Sequence, residues 1–333
     1  MEYTTLGETG LEVSRIGLGC MSFSTGGWRE WVLDEPESRE IIERAIDLGV
    51  TFFDTANMYA AGDSERVLGR ALEGYDRDSM VVATKVHPSM SPEPYPHGDE
   101  GGLSRKAVEQ SLGNSLERLG VDTVDLYQIH RWDYRTPIDE TLRALDDAVR
   151  RGQARYLGAS SMWAHQFASA LHASDRLGLE RFVSMQNHYN LAYREEEREM
   201  LPLCQRDGVG VMPWSPLARG YLTRPHETFL ETVRGEYMDR DDRIAKRIQS
   251  YRSNGGDEIN ERVEELAEEN DATMAQIALA WLLHQDAVDA PIVGTTSVEH
   301  LEDAVEALDI SLSKSDREYL EEPYEPVEVA GHR

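Results

Sequence analysis

The stretch "MVVATKVH", from Met80 to His87, decides the fold of this chain. Its first five positions carry no charged side chain, so a strand formed here has no strongly polar face. Such a strand, buried on both faces, is typical of a parallel sheet covered by helices. The apolar run ends at Lys85, although the chain has only four lysines among its 34 basic residues. The stretch therefore predicts a buried parallel strand that carries a rare cation at its end.

Seven further apolar runs alternate with amphipathic segments along the chain. They predict strands at 16–20, 50–53, 124–129, 154–159, 182–186, 209–213 and 290–293. The segments between them have apolar residues every three or four positions and often begin at Ser or Pro and end at Gly, as helices do. The clearest are 37–49, 64–74, 104–120 and 137–152. Eight parallel strands separated by helices predict an α/β fold, a (β/α)8 TIM barrel.

The ends of the chain and its long gaps predict additions to this barrel. Residues 1–15 form two short alternating runs about a glycine-containing turn, which predicts an N-terminal β-hairpin. Long loops are expected at the C-terminal face, at 87–103 and 217–256, and loops of this length usually serve a site. Helices at 257–270 and 273–285 fill the rest of the last gap. We expect residues 1–333 to form a single barrel domain.

The composition excludes several kinds of partner. Acidic residues number 62 against 34 basic ones, a net charge of −28, so the long-range field repels nucleic acid and anionic membrane surfaces. The chain has no apolar run long enough to span a membrane. Its first residues lack a basic region followed by an apolar one, so we expect a protein that is not exported. Cys20 and Cys204 cannot form a disulfide framework and show no metal-ligand spacing, which fits the cytoplasm. No metal site is expected.

The same charge predicts adaptation to salt. Acidic residues are spread along the chain, and arginine has largely replaced lysine. At 1 M salt the Debye length is about 3 Å, so self-repulsion of an acidic surface is screened. We expect a halophilic protein that loses its fold or activity in low salt.

Polar side chains follow three successive strands of the predicted barrel. Asp54 and Tyr59 follow the second strand, Lys85 ends the third and His130 follows the fourth. In this fold the reacting groups lie at the C-terminal strand ends. Each of these residues also has a purely structural interpretation when it is considered alone. Asp54 would cap a loop, Tyr59 would pack half-buried against its neighbours, and His130 would be a hydrogen-bonded histidine of the core. A buried ammonium, however, costs several kcal/mol unless it is paired, and Asp54 supplies the counter-charge.

Two mechanisms fit a lysine at this position. In the first, Lys85 is a nucleophile that forms a Schiff base with a carbonyl substrate, as in barrel aldolases. In the second, the Lys85 ammonium lies beside Tyr59 and favours its phenolate, so that the phenol serves as a general acid or base.

The later strand ends carry groups that suit a nicotinamide ring. Trp214 offers a flat face, Gln186 an amide, and Ser160 and Ser161 hydroxyl groups. After the last strand, "GTTSVEHLEDAV" (294–305) opens a helix with glycine and hydroxyl residues, a typical phosphate site. The first strand is not followed by GxGxxG, so a nicotinamide cofactor would not be bound in the Rossmann manner.

These motifs, and their order along the chain, resemble those of the aldo-keto reductases. The resemblance is strongest to the branch with bacterial aryl-alcohol-dehydrogenase-like enzymes and potassium-channel β subunits. The matching stretches are "GVTFFDTANMY", "VVATKV", "DLYQIHRWD", "GASSM", "MQNHYNL", "WSPLARGYL" and "PIVGTTSVEHLEDAVEAL". The resemblance implies an enzyme that interconverts aldehydes or ketones and alcohols by hydride transfer.

It also implies the site residues. In the catalytic tetrad, Tyr59 would protonate the carbonyl oxygen, Lys85 paired with Asp54 would tune that phenol, and His130 would orient the carbonyl. Gln186 and Ser160 would hold the carboxamide, and Trp214 would stack on the nicotinamide. The full set implied to bind the cofactor is Cys20, Met21, Asp54, Ser160, Ser161, Gln186, Trp214, Ser215, Pro216, Leu217, Arg219, Gly294, Thr295, Thr296, His300 and Asp303.

Departures from the family pattern fall mainly at the phosphate end. Gly294 and Thr295 replace the Lys-Ser pair by which some branches hold a 2′-phosphate. His300 stands where many members have Arg or Gln, and Ala304 stands where many have Asn. NADP(H) is the first expectation, with NAD(H) as the alternative. A sensor or channel-associated module that binds nicotinamide with little turnover is the rival to an enzyme. The substrate would be a small carbonyl compound or alcohol. The sequence leaves both a monomer and a homo-oligomer as alternatives.

Overall fold

The parallel strands follow one another around a barrel. The computed structural model describes residues 1–87, 101–232, 235, 243–253, 255–329 and 332. Its strands are β1 (Tyr3–Thr5), β2 (Glu12–Ser14), β3 (Gly17–Gly19), β4 (Phe52–Asp54), β5 (Val81–Val86), β6 (Val124–Ile129), β7 (Ala154–Ser160), β8 (Phe182–Gln186), β9 (Gly210–Val211) and β10 (Ile292–Gly294). The sheet runs in the order β10-β3-β4-β5-β6-β7-β8-β9, and every pair in it is parallel. A parallel bridge between Trp214 and Ile292 joins its two edges, so the predicted barrel is confirmed.

Each of the eight predicted strands is present, with its ends shifted by a few residues at most. The strands at 124–129 and 182–186 match their predictions. The prediction at 209–213 is too long, because only Gly210–Val211 pair as a strand. Beyond them the chain leaves the ladder and keeps contact through the bridges of Trp214 to His188 and Ile292.

Helices cover the outside of the sheet. They are α1 (Glu35–Asp47), α2 (Asp63–Leu72), α3 (Arg105–Leu119), α4 (Ile138–Arg150), α5 (Ala164–Leu177), α6 (Met200–Arg206), α7 (His226–Phe229), α8 (Arg243–Arg252), α9 (Gly256–Glu269), α10 (Met274–Leu283), α11 (Val298–Glu306) and α12 (Lys314–Glu321). Local capping sets several of these ends. The Ser104 side chain accepts from the Ala107 amide at the start of α3, and α3 ends at Gly120 with a left-handed φ of 68°. No helix in the described part of the chain is both long and apolar enough to cross a membrane.

The predicted N-terminal hairpin closes the bottom of the barrel. β1 and β2 pair antiparallel. Leu6, between them, packs against Phe52, Leu126 and other apolar side chains of the lower barrel. The Gly7 amide also donates to Asp289 Oδ2 at 2.9 Å. The hairpin therefore shields the barrel floor from water and leaves the opposite end for a site.

The two long segments differ in how much of them is described. Of the predicted loop 87–103, residues 88–100 lie outside the described residues. The segment 217–256 contains α7, α8 and a 3₁₀ stretch at Ala218–Thr223, where the sequence had predicted one long loop. Residues 233, 234, 236–242 and 254 of this segment also lie outside the described residues.

The barrel interior changes from apolar to polar towards the C-terminal strand ends. Residues two apart on a strand face the same side, so the inward Ala83 of β5 is followed by Lys85, and the inward Leu126 of β6 by Gln128. Phe52 and Asp54 of β4 show the same step. Register pairs Lys85 with Gln128, and Asp54 with Ala83. The alternation of strand residues thus brings several polar side chains together above an apolar floor.

Candidate active site

Lys85 and Asp54 form a buried ion pair above this floor. The Lys85 side chain is 0% exposed and that of Asp54 2%. Lys85 Nζ lies 2.5 Å from Asp54 Oδ2 and donates a second hydrogen bond to the Thr55 carbonyl at 2.9 Å. An ammonium without these acceptors would be costly in this environment. The sequence predicted this pairing, and the structure contains it.

Two amides hold the other oxygen of Asp54. Gln128 Nε2 and Gln186 Nε2 donate to Asp54 Oδ1 at 2.9 and 2.8 Å. A Cβ on Gly158 would lie 2.8 Å from Gln128 Cγ, so glycine leaves room for that side chain. The sequence analysis missed Gln128. Its position two residues before His130, which directly follows β6, was the signal that could have found it, because residues two apart in an extended chain face the same side.

Tyr59 reaches the pair from the loop after β4. Its Oη lies 3.4 Å from Lys85 Nζ, and its ring meets that of His130 edge-on, with centroids 5.8 Å apart. The next two residues, Ala60 and Ala61, have φ of 48° and 53°. Left-handed conformations cost non-glycine residues energy and concentrate at functional sites. Through these contacts Asp54, Tyr59, Lys85 and His130, the four predicted catalytic side chains, meet at one place.

The charges of this group are set by burial and by its own members. Burial lowers the pKa of Lys85, but electrostatic attraction to Asp54 and Tyr59 and hydrogen bonds with both outweigh burial, and the pKa ends above its ordinary value. Burial, followed by the positive charges of Arg131 and Lys85, holds the pKa of His130 well below its usual range. At neutral pH the site thus contains an ammonium and a neutral imidazole. One nitrogen of that imidazole donates a hydrogen bond and the other accepts one.

The residues predicted to hold a nicotinamide carboxamide lie beside this group. Ser160 Oγ donates to the Gln186 carbonyl at 2.8 Å, and Gln186 in turn contacts Asp54. Trp214 Nε1 donates to Ser161 Oγ at 2.9 Å. One face of the half-buried Trp214 indole stacks on the His188 imidazole at 4.3 Å, a contact that the sequence analysis did not predict. Hydroxyls, an amide and a flat ring are thus grouped at the mouth.

The chain beyond Trp214 has an unusual backbone. Ser215, Ala218 and Arg219 have φ of 52°, 48° and 60°, and Gly220 follows at 93°. Pro216 is buried, and Leu217 is half-buried. Arg219 Nε is buried without a hydrogen-bond partner. A buried donor normally finds an acceptor, so this orphaned nitrogen fits the binding of an anionic group such as a pyrophosphate.

The predicted phosphate end lies at the start of α11. Ser297 caps this helix by accepting from the His300 amide, and Thr295 Oγ1 accepts from the Ser297 amide. Gly294, Thr296 and His300 are exposed, and Asp303 is half-buried. The Thr295 carbonyl accepts from Ser22 Oγ at 2.7 Å, which ties this region to the loop after β3.

Cys20 and Met21, at the end of β3, complete the predicted cofactor set. The Cys20 thiol is fully buried, and burial together with the charge of Asp54 raises its pKa, so it stays protonated. Met21 is half-buried. Among the described residues, no group of three or more His, Cys, Asp or Glu side chains is arranged to hold a metal ion.

The whole chain is similar to known reductases and dehydrogenases. The model of the aldo/keto reductase family matches residues 15–325. Versiconal hemiacetal acetate reductase of Aspergillus parasiticus is 42% identical, over 98% of each chain. A Schizosaccharomyces pombe protein provisionally named an aryl-alcohol dehydrogenase is 42% identical, over 99% of this chain and 97% of its own. The aldo-keto reductase dtxS3 of Metarhizium robertsii is 41% identical, over 100% of this chain and 93% of its own.

Proposed function

Because this chain belongs to the aldo/keto reductase family, we propose that it interconverts aldehydes or ketones and alcohols with Tyr59 as the general acid and base. At family level it is an oxidoreductase that uses a nicotinamide cofactor. One observation carries the proposed role of Tyr59. Its hydroxyl lies 3.4 Å from the Lys85 ammonium, which is itself paired with Asp54 in a buried site.

Each member of the tetrad has a separate task. Tyr59 gives its proton to the carbonyl oxygen, and the Lys85 ammonium stabilises the phenolate that remains. Asp54 keeps Lys85 charged and in place, and the neutral His130 imidazole donates a hydrogen bond that orients the carbonyl. The raised pKa of Lys85 argues against the Schiff-base alternative, since a nucleophilic lysine must lose its proton.

The donor set fits a nicotinamide cofactor, which supplies the hydride when bound. Gln186, Ser160 and Ser161 would hold its carboxamide, and Trp214 would lie against its ring. Ser215, Pro216, Leu217 and Arg219 would line the pyrophosphate, supported by the orphaned Arg219 Nε. Gly294, Thr295, Thr296, His300 and Asp303 would hold the adenosine phosphate. Met21 would lie at the rim of the site, whereas Cys20 is fully buried and offers no surface to the cofactor.

We propose NADP(H) as the preferred cofactor, because the family generally uses it. The segment 294–303 contains no Lys or Arg, and its Glu299 and Asp303 would repel a 2′-phosphate, whereas Glu302 is already paired with Arg44. Positive charge would have to come from Arg219 and Arg224. Titration of the protein with NADPH and with NADH tests this preference, and tighter binding of NADH would contradict it.

The Tyr59→Phe variant tests the proposed chemistry. Loss of the acid should lower kcat for NADPH oxidation with an aldehyde panel by about a hundred- to ten-thousand-fold. Cofactor affinity should change little, because the ring remains. Tyr75→Phe, at a tyrosine exposed at 37%, is the matched control. If Tyr59→Phe keeps full turnover, the role is wrong. A wild-type protein that binds the cofactor tightly without turnover would instead support a sensor module.

We also propose that this enzyme works in concentrated salt, in keeping with its net charge of −28.

A further inference from the structure

A stack of three rings lies behind the proposed nicotinamide face of Trp214. The His188 imidazole lies 4.3 Å from the Trp214 ring at an interplanar angle of 9°, and 4.1 Å from the Tyr193 ring at 16°. The backbones of His188 and Trp214 form a parallel bridge, so the two side chains are cross-strand neighbours. His188 is 1% exposed and Tyr193 also 1%. The tryptophan therefore rests on a buried, nearly parallel support.

His188 also joins two segments of the site. Its Nε2 lies 2.7 Å from Tyr251 Oη, and Tyr251 is a fully buried residue of α8, inside the segment 217–256. Asn190 Nδ2 lies 3.3 Å from the same nitrogen and donates to the Ser215 carbonyl at 2.9 Å. Through these contacts the imidazole is connected both to α8 and to the residue that follows Trp214.

Core packing alone does not explain this residue. A buried polar ring costs free energy unless its nitrogens are hydrogen-bonded, so an apolar side chain would fill the same space at lower cost. A flat ring held on one side by stacking and at its edge by a hydroxyl has little freedom to tilt. This restricted tilt of His188 matters for Trp214, because the nicotinamide proposed to stack on the other face of Trp214 must be held at a fixed depth.

We propose that His188 is a positioning residue that fixes the plane of Trp214 and so sets the distance between the nicotinamide ring and Tyr59. The inference rests on the proposed function, in which Trp214 stacks on the nicotinamide. Tyr251 belongs to the same device, because its hydroxyl holds the edge of the imidazole. Reacting atoms must be aligned within a fraction of an ångström, and a displacement of about 1 Å can cost a hundredfold in rate.

Three variants separate the stack from the hydrogen bond. His188→Leu removes both. His188→Phe keeps a ring in the stack and removes the hydrogen bond with Tyr251 together with the contact to Asn190, whereas Tyr251→Phe removes only the hydrogen bond between Tyr251 and His188. His172→Leu, at an exposed histidine of α5, is the matched control. For each variant we would measure the NADPH Kd from tryptophan fluorescence, kcat and KM for an aldehyde, and the primary deuterium isotope effect with 4-deuterated NADPH. Circular dichroism and active-site titration would give the folded fraction.

The expected results differ between the variants. His188→Leu should lower kcat about tenfold or more, raise the NADPH Kd and change the isotope effect, with the aldehyde KM little changed. His188→Phe and Tyr251→Phe should each raise the Kd about threefold, the range of one net hydrogen bond. Their double variant should be no worse than His188→Phe alone, because His188→Phe already removes the contact with Tyr251.

Two outcomes would overturn the positioning role alone. One is a His188→Leu protein that matches His172→Leu in Kd, kcat and isotope effect. The other is a loss of activity that only follows the folded fraction, with Kd and isotope effect unchanged, since that is a structural role. A wild-type protein that binds neither NADPH nor NADH would overturn the proposed function and this inference together.

Discussion

At the residue scale, the site around Lys85 requires the shape of a lysine side chain as well as its positive charge. The ammonium fits a fully buried space in which one nitrogen reaches a carboxylate, a carbonyl and a phenol. A guanidinium is larger and planar and spreads its charge over a fork. Lys85→Arg should therefore lower kcat by at least about tenfold, because the contact with Tyr59 is displaced. Steady-state kinetics checks this, with Lys106→Arg at an exposed lysine as the control. Equal kcat in both variants would contradict it.

The residues that the sequence predicted share one property, namely their place at a strand end. Asp54, Lys85 and His130 could be found because strand ends meet at one face of any parallel barrel. Gln128 and His188 could not be found in this way. Each acts through a partner distant in sequence, Asp54 and Trp214 respectively, and that pairing depends on which strands lie near one another in the sheet.

At the element scale, helices α2 and α3 are joined by a buried ion pair. Glu65 Oε2 lies 2.6 Å from Arg118 Nε, with the side chains 0% and 9% exposed, and Glu65 Oε1 accepts from Thr84 Oγ1 at 2.5 Å. A Cβ on Gly62 would lie 2.6 Å from Arg118 Cδ, and Gly62 has a φ of 88°. Glycine at the start of α2 thus lets the arginine reach its partner.

Removal of one member of this pair should be costly. Glu65→Ala leaves a mostly buried guanidinium without its carboxylate, which should lower the free energy of unfolding by about 3–5 kcal/mol. The double variant Glu65→Leu/Arg118→Leu should recover much of that loss, because no buried charge is then unpaired. Urea unfolding followed by circular dichroism measures both, and Glu117→Ala on α3 serves as a surface control. If Glu65→Ala lost less than about 1 kcal/mol, the pair would have only the value of an exposed one.

Element boundaries were predictable where local chemistry sets them. The start of α10 is fixed by a capping box of Thr273 and Gln276, and the end of α3 by Gly120. The segment 217–256 was predicted as a loop, because its polar composition has no clear periodicity. Its helix α8 is held in part by buried Tyr251, a tertiary contact that no local pattern reveals.

At the scale of the whole molecule, barrel closure converts separate strand ends into one site. The bridge between Trp214 and Ile292 joins the segment after β9 to β10, which pairs with β3, while the hairpin covers the floor. The count of eight apolar runs was enough to predict this closure, since a parallel barrel of this kind has eight strands. The net charge of −28 carries no information about this fold, because net charge bears on solubility and association.

Salt dependence is the prediction that belongs to this scale. With a net charge of −28, repulsion across the surface destabilises the folded state most at low ionic strength, where the Debye length is about 30 Å at 0.01 M and about 3 Å at 1 M. The melting temperature and kcat should therefore rise as KCl is increased from millimolar to molar. Sucrose at the same osmolality is the control, because it stabilises without screening charge. An unchanged melting temperature and full activity after dialysis into low salt would show that the acidic surface is no adaptation to salt.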